Sequence, residues 1–134
     1  MSPPSTLRPL PLMVEHVRAL DLAEVETSLG TDLPGRLPLI LVDVSAPGVV
    51  TNGAPEWSAS FRATLTAVAH ERGRALDLAH DLLDGLLASW RAGRRTDHGW
   101  VSHLSVVALP YPSTTPGAAG LWSFSVVVDV VARH

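Results

Sequence analysis

The sequence contains no cysteine, which excludes a disulfide framework and any thiolate metal site. Lysine is also missing, so all ten basic residues are arginine. Without lysine a GxxxxGK[ST] phosphate loop is impossible; no GxGxxG follows an apolar run and no GxSxG elbow occurs. Charged residues make up 17% of the chain, against about 25% in an average globular protein. The net charge of −3 is too small to argue for a partner, and the arginines form no basic stripe interleaved with aromatics, so nucleic-acid recognition has little support. The proline-broken N-terminus has no apolar run long enough for a signal peptide or a membrane span. The expectation is a soluble, cytoplasmic protein that does not associate with membranes.

What is abundant is small and medium apolar residues: 46% of the 134 residues are hydrophobic. That length is one domain, able to bury about two-thirds of its unfolded surface. Low charge combined with so much Val, Leu and Ala implies more apolar surface than a lone small domain needs.

The organising stretch runs from Trp57 to Arg91. Trp57, Ala59, Phe61, Ala63, Leu65, Ala67 and Ala69 alternate with Ser58, Ser60, Arg62, Thr64 and Thr66, the period of a strand with one buried face. After Ala69 the period changes. Ala75, Leu76, Ala79, Leu82, Leu83, Leu86, Leu87 and Trp90 recur at three- and four-residue spacings, with Glu71, Arg74, Asp77, Asp81 and Asp84 opposite. This predicts an amphipathic helix of about twenty residues, roughly 30 Å long. Gly93 is placed to end it, and Arg91, Arg94 and Arg95 sit where the helix dipole favours cations. Those arginines serve either that structural role or a charge-matched docking patch.

Around this unit, residues 1–11 read as a flexible proline-rich arm and 12–134 as a single α+β domain. Leu12 to Leu29 reads as helix, with Met13, Val17, Leu20 and Val25 inward and a break near Asp21, which would cap a second segment. PLILVDV reads as a strand apolar on both faces, and Ser45 to Glu56 as a long loop. Trp100 to Leu109 is a third strand, Pro110 to Gly120 a proline-rich turn, and LWSFSVVVDVVARH a last strand. On that last strand Trp122, Phe124, Val126, Val128, Val130 and Ala132 share one face, while Leu121, Val127 and Val131 lie on the other. The predicted fold is a four-stranded antiparallel sheet, two hairpins joined by the long helix, with helices packed on one face. Its first and last strands are apolar on both faces, so the outward residues call for a neighbouring subunit.

Few residues point to chemistry. His80 and Asp84 lie one helical turn apart, with Asp77 or Asp81 near, a motif too short to specify a metal. Asp43 and Asp129 each interrupt an apolar strand. Buried together they would form an acid–base pair; otherwise each is on a less buried face or pairs with an arginine such as Arg62. Trp57, Trp90, Trp100 and Trp122 stand near element ends, either sealing core edges or anchoring a subunit interface. No catalytic residue, metal site or cofactor is assigned.

The element order resembles that of the tail terminator (tail-completion) proteins of long-tailed bacteriophages, over roughly Leu12 to the C-terminus. The likeness lies in the strand WSASFRATLTAVA passing into DLAHDLLDGLL, and in the proline-rich turn before a last strand ending near Arg133. The resemblance implies a non-enzymatic virion protein at the tail-neck junction, assembled in the host cytoplasm. Its copies would form a homo-oligomeric ring, usually hexameric, that caps the tail tube, stops polymerisation and receives the head-completion or connector protein. Partners would be the major tail tube protein and the connector, with DNA only passing through the lumen. On this reading Trp57, Trp122, Val127, Val131, Arg91, Arg94 and Arg95 are interface candidates, and Glu56, Asp77, Asp81 and Asp84 are lumen-facing candidates that repel phosphate. The alternatives are another neck or head-closure component, or a small ferredoxin-like binding or enzymatic domain using Asp43, Asp129 or the histidines.

Overall fold

The computed structural model describes residues 7–27, 37–50, 58–113 and 120–134, with the backbone alone for 46–50. In chain order the elements are α1 (Pro9–Arg18), β1 (Glu24–Glu26), β2 (Leu39–Val50), β3 (Ser58–Ala69), α2 (Arg72–Arg91), β4 (Arg95–Thr96), β5 (Gly99–Ser113) and β6 (Trp122–Arg133). The strands form one six-stranded sheet in the order β1-β2-β3-β6-β5-β4. The four long strands pair antiparallel and β1 pairs parallel to β2.

This corrects the four-stranded antiparallel sheet with helices on one face. Two further strands extend it, one of them parallel, and the mixed sheet curls into a half-barrel. The extra strands come from segments without a strand period. Val25 has helical spacing to Leu22, yet Asp21 adopts a left-handed φ of 54°, a conformation Asp tolerates better than most residues. The helix therefore stops at Arg18, and Glu24–Glu26 pairs with Leu39–Leu41. Asp21 caps no second helix. At its other end α1 starts before Leu12. Pro9 occupies its first turn, where a missing N–H costs nothing and a φ near −65° is already helical.

The core is built on β3 and β6, which pair over twelve residues from Ser58↔Arg133 to Ala69↔Trp122. Large side chains of one strand lie beside smaller ones of the other, as in Ala67↔Phe124 and Phe61↔Val130. The alanines at 63, 67 and 69 are buried together with Ala75, Ala79, Leu82 and Leu86 of α2. One hydrophobic cluster joins these to Leu12, Met13, Val14 and Val17 of α1 and to Val126, Val128 and Val130 of β6. Where the helices meet, Gly85 leaves room for Leu20; a Cβ there would lie 2.9 Å from Leu20 Cδ1.

Helix α2 matches its sequence period over Arg72–Arg91. It ends in a Schellman motif: Gly93 N–H donates to Trp90 O (3.0 Å), Arg94 N–H donates to Ser89 O (3.2 Å), and Gly93 has a φ of 68°. β5 departs from simple alternation. Its register against β6 shifts between Val101 and His103, Val106 and Ala108, and Ala108 and Tyr111. These bulges carry it through Pro110 and Pro112, where a turn was expected. Likewise β2 continues into the expected loop, pairing Val49↔Ser60 and Val50↔Ala59 after a shift.

Gly99 joins β4 to β5 at a φ of 123°, and a Cβ there would meet the carbonyl oxygen of Arg133. Gly93 shares the positive φ but has nothing within 4 Å of a would-be Cβ. Gly93→Ala is therefore expected to cost about 1 kcal/mol, the left-handed penalty alone. Gly99→Ala is expected to cost at least about 2 kcal/mol, because backbone must also move. Urea denaturation of the two variants checks the order; equal losses would show that the Arg133 contact is not limiting.

Candidate functional site

The sheet has two edges, and among the described residues both are mostly open. β1 covers β2 only at Leu39–Leu41, and β4 covers β5 only at Gly99–Trp100. Among the described residues no other strand lies against β2 from Val42 to Val50 or against β5 from Val101 to Ser113. Open edges present unpaired N–H and C=O groups that template further pairing. One acceptor near the top of β5 is closed from within. The Trp90 indole N–H donates to the carbonyl of Ser102 (3.1 Å), and its ring meets that of His103 edge-on at 5.4 Å. Trp90 thus seals the core at the end of α2, one of the two roles open to it from sequence.

Beyond that seal β5 is exposed and apolar. Val106, Val107, Leu109 and Tyr111 all reach solvent, Leu109 with 68% of its surface. The sequence reads as a strand over Trp100–Leu109, but Val106, Val107, Leu109 and Tyr111 are not among the interface candidates and the bulges carry no local signal. Simple alternation would place Val107 and Leu109 on one face with Val101, and the register shifts break it.

The outer face of the sheet, opposite the main cluster, carries a polar group. Arg62 Nε and Nη2 donate to the two carboxylate oxygens of Asp129 at 2.8 and 3.1 Å. That hydrogen bonding holds the Asp129 carboxyl below its usual range and raises the already high Arg62 value. Both side chains are about half exposed, so the pair orients the surface more than it stabilises the fold. His103 Nε2 lies 2.9 Å from Ser105 Oγ. With Ser60, Val130 and Val131 these residues line an open depression of about 290 Å³. Asp43 does not join it: Asp43 pairs with Thr64 and is exposed, whereas Asp129 pairs with Arg62. No buried acid–base pair forms from the two carboxylates. Among the described residues no group of three or more His, Asp or Glu side chains is placed to hold a metal.

The interface candidates are not brought together. Trp57 and Glu56 lie outside the described residues. Trp122 is exposed at one end of β6, while Arg91, Arg94 and Arg95 are exposed near the other, where Arg95 stacks over Trp100 at 5.1 Å. β6 places those ends about 35 Å apart at roughly 3.3 Å per residue. Val127 and Val131 lie between them, half-buried on the outer face. Asp77, Asp81 and Asp84 are exposed along α2; Asp77 and Asp81 flank a second depression with Arg74, Leu22 and Pro38.

One titratable group missed from sequence is His16, 2% exposed in α1 with Nε2 unpartnered. Burial, then the nearby Arg94 charge, pushes its pKa below 6.5, partly offset by Glu15. Glu15 in turn holds His98 Nδ1 at 2.6 Å, which ties α1 to the β4–β5 turn. Its signal in the sequence is weak, since His16 lies on the same helix flank as Leu12 and Met13 without any motif.

No protein-family model matches the chain, and no curated protein matches it. Among solved structures, a chain described as "Virion of native gene transfer agent (GTA) particle" is similar, with a TM-score of 0.49 and 14% identity. The match covers 88% of this chain and 84% of that one. A likeness of this strength does not carry function from one chain to the other.

Because unfolded His16 takes up a proton that the folded chain resists, stability is complete above 6.5 and falls as the pH drops below it. The loss is at most about 1.4 kcal/mol per pH unit from this group. His16→Leu is expected to flatten the melting temperature between about pH 7.5 and about pH 5.5. An unchanged pH profile would place the sensitivity elsewhere.

Proposed function

We propose that the protein is a structural subunit of a phage-type particle, of the tail terminator kind. Copies of it form a closed ring on the end of the tail tube, end tube growth and present a surface to the head connector. The observation that carries this reading is the exposed apolar stretch Val106–Tyr111 on an open sheet edge. Burying one Val or Leu side chain is worth about 1.5–3 kcal/mol, so several of them on one edge supply enough to hold subunits together. A contact joining different surfaces of identical copies closes into a ring when its rotation divides a full turn.

The same reading makes the protein non-enzymatic, with the major tail tube protein and the connector as partners. Val127, Val131 and Trp122 supply additional contact surface, and Arg91, Arg94 and Arg95 a charged rim. Asp77, Asp81 and Asp84 face the DNA passage and repel phosphate.

Two experiments test this. The variant Val107→Lys with Leu109→Lys is expected to shift the protein from ring to monomer in light scattering while its melting temperature stays within the range of ordinary surface changes. Retention of the ring would remove β5 from the interface. In assembled particles, replacing Asp77, Asp81 and Asp84 by Asn is expected to slow DNA ejection; normal ejection would remove the lumen assignment.

A further inference from the structure

We infer that the ring is closed by strand pairing, with the β5 edge of one copy against the β2 edge of the next, antiparallel. This inference rests on the ring reading and specifies which surfaces meet. An open edge carries a ladder of backbone donors and acceptors, and only another extended strand satisfies it along its length. The chain itself supplies such a strand on the far side of the same sheet, at Val42–Val50.

Three observations select a second copy in this arrangement. First, pairing β5 with β5 in a twofold dimer would leave β2 open in both copies, whereas β5 with β2 covers both edges of every copy. Second, strand directions agree. β2, β3, β6 and β5 alternate in direction, so a rotation about an axis along the strands brings the next β2 beside β5 in the antiparallel sense. Third, the short strands act as stops. β4 occupies the edge at Gly99–Trp100, and β1 of the next copy occupies its own β2 at Leu39–Leu41. Antiparallel pairing sets these stops at opposite ends of the shared ladder. With Val42 facing Ser113 as one limit and Val50 facing Val101 as the other, Asp43 comes opposite the segment Ala108–Pro112. That segment has no acidic side chain, and its two prolines lack the N–H that would prolong the ladder toward β1.

The absence of native cysteine makes covalent trapping direct. Asp43→Cys combined with Leu109→Cys, and separately with Tyr111→Cys, brackets the register. All three positions are exposed, so folding of each variant, checked by its melting curve, is expected to be unaffected. Under mild oxidation at least one pair is expected to give a ladder of covalent oligomers ending at the ring, while each single variant gives none. A covalent dimer from Leu109→Cys or Tyr111→Cys alone would overturn the inference in favour of twofold β5 pairing. A ring seen by light scattering with no cross-link from either pair would overturn it while leaving the ring reading intact. A monomer at every concentration would remove both.

Discussion

Everything in this molecule depends on how closely α2 can sit against β3 and β6. The alanines on the buried side of β3 and those at 75 and 79 on the helix leave no bulk between backbone and backbone, and all are fully or nearly fully buried. The larger side chains that remain, Phe61, Leu65, Phe124 and the β6 valines, fill the space to either side. Close packing of this kind tolerates little change in volume. It also sets the helix over the middle of the sheet, so the distal part of β5 lies beyond its cover.

That placement has a consequence at the sheet's margins. Among the described residues, a curled sheet of six strands with only two short edge strands has long stretches of unpaired backbone. Natural edges are commonly blunted by charge, proline or bulges. β5 uses bulges and prolines but carries no Asp, Glu, Lys or Arg, and its distal side chains are apolar. An edge protected against indiscriminate pairing yet left greasy suits a specific partner strand. The polar group on the outer face, with Arg62 gripping Asp129 beside His103 and Ser105, separates Val127 from Val131 along β6.

The long elements were legible because each repeats one period for ten residues or more. β3 alternates from Ser58 to Ala67, β6 keeps an apolar residue at every second position from Trp122 to Ala132, and α2 holds its leucine stripe through five turns. The short edge strands were not. Three residues of β1 or two of β4 carry no measurable period, and their pairing is with residues distant in the chain. β5 was legible only in part, since each register shift moves the following side chains to the other face. The candidate site was still less visible. The Arg62–Asp129 pair was foreseen as one option, but the burial of His16 and the exposure of Leu109 depend on which neighbours arrive.

Local pattern alone therefore determined the existence of two helices and four long strands, the inward set on β3 and β6, and the stop at Gly93. It determined as well the exclusion of disulfides and thiolate metal sites, since those need residues that are absent. Only the tertiary structure decided the order of strands, the parallel addition of β1, the curl of the sheet and the two open edges. Those features are relations between segments far apart in sequence. Their energies come from contacts that exist only after the chain has folded, so no window of neighbouring residues contains them.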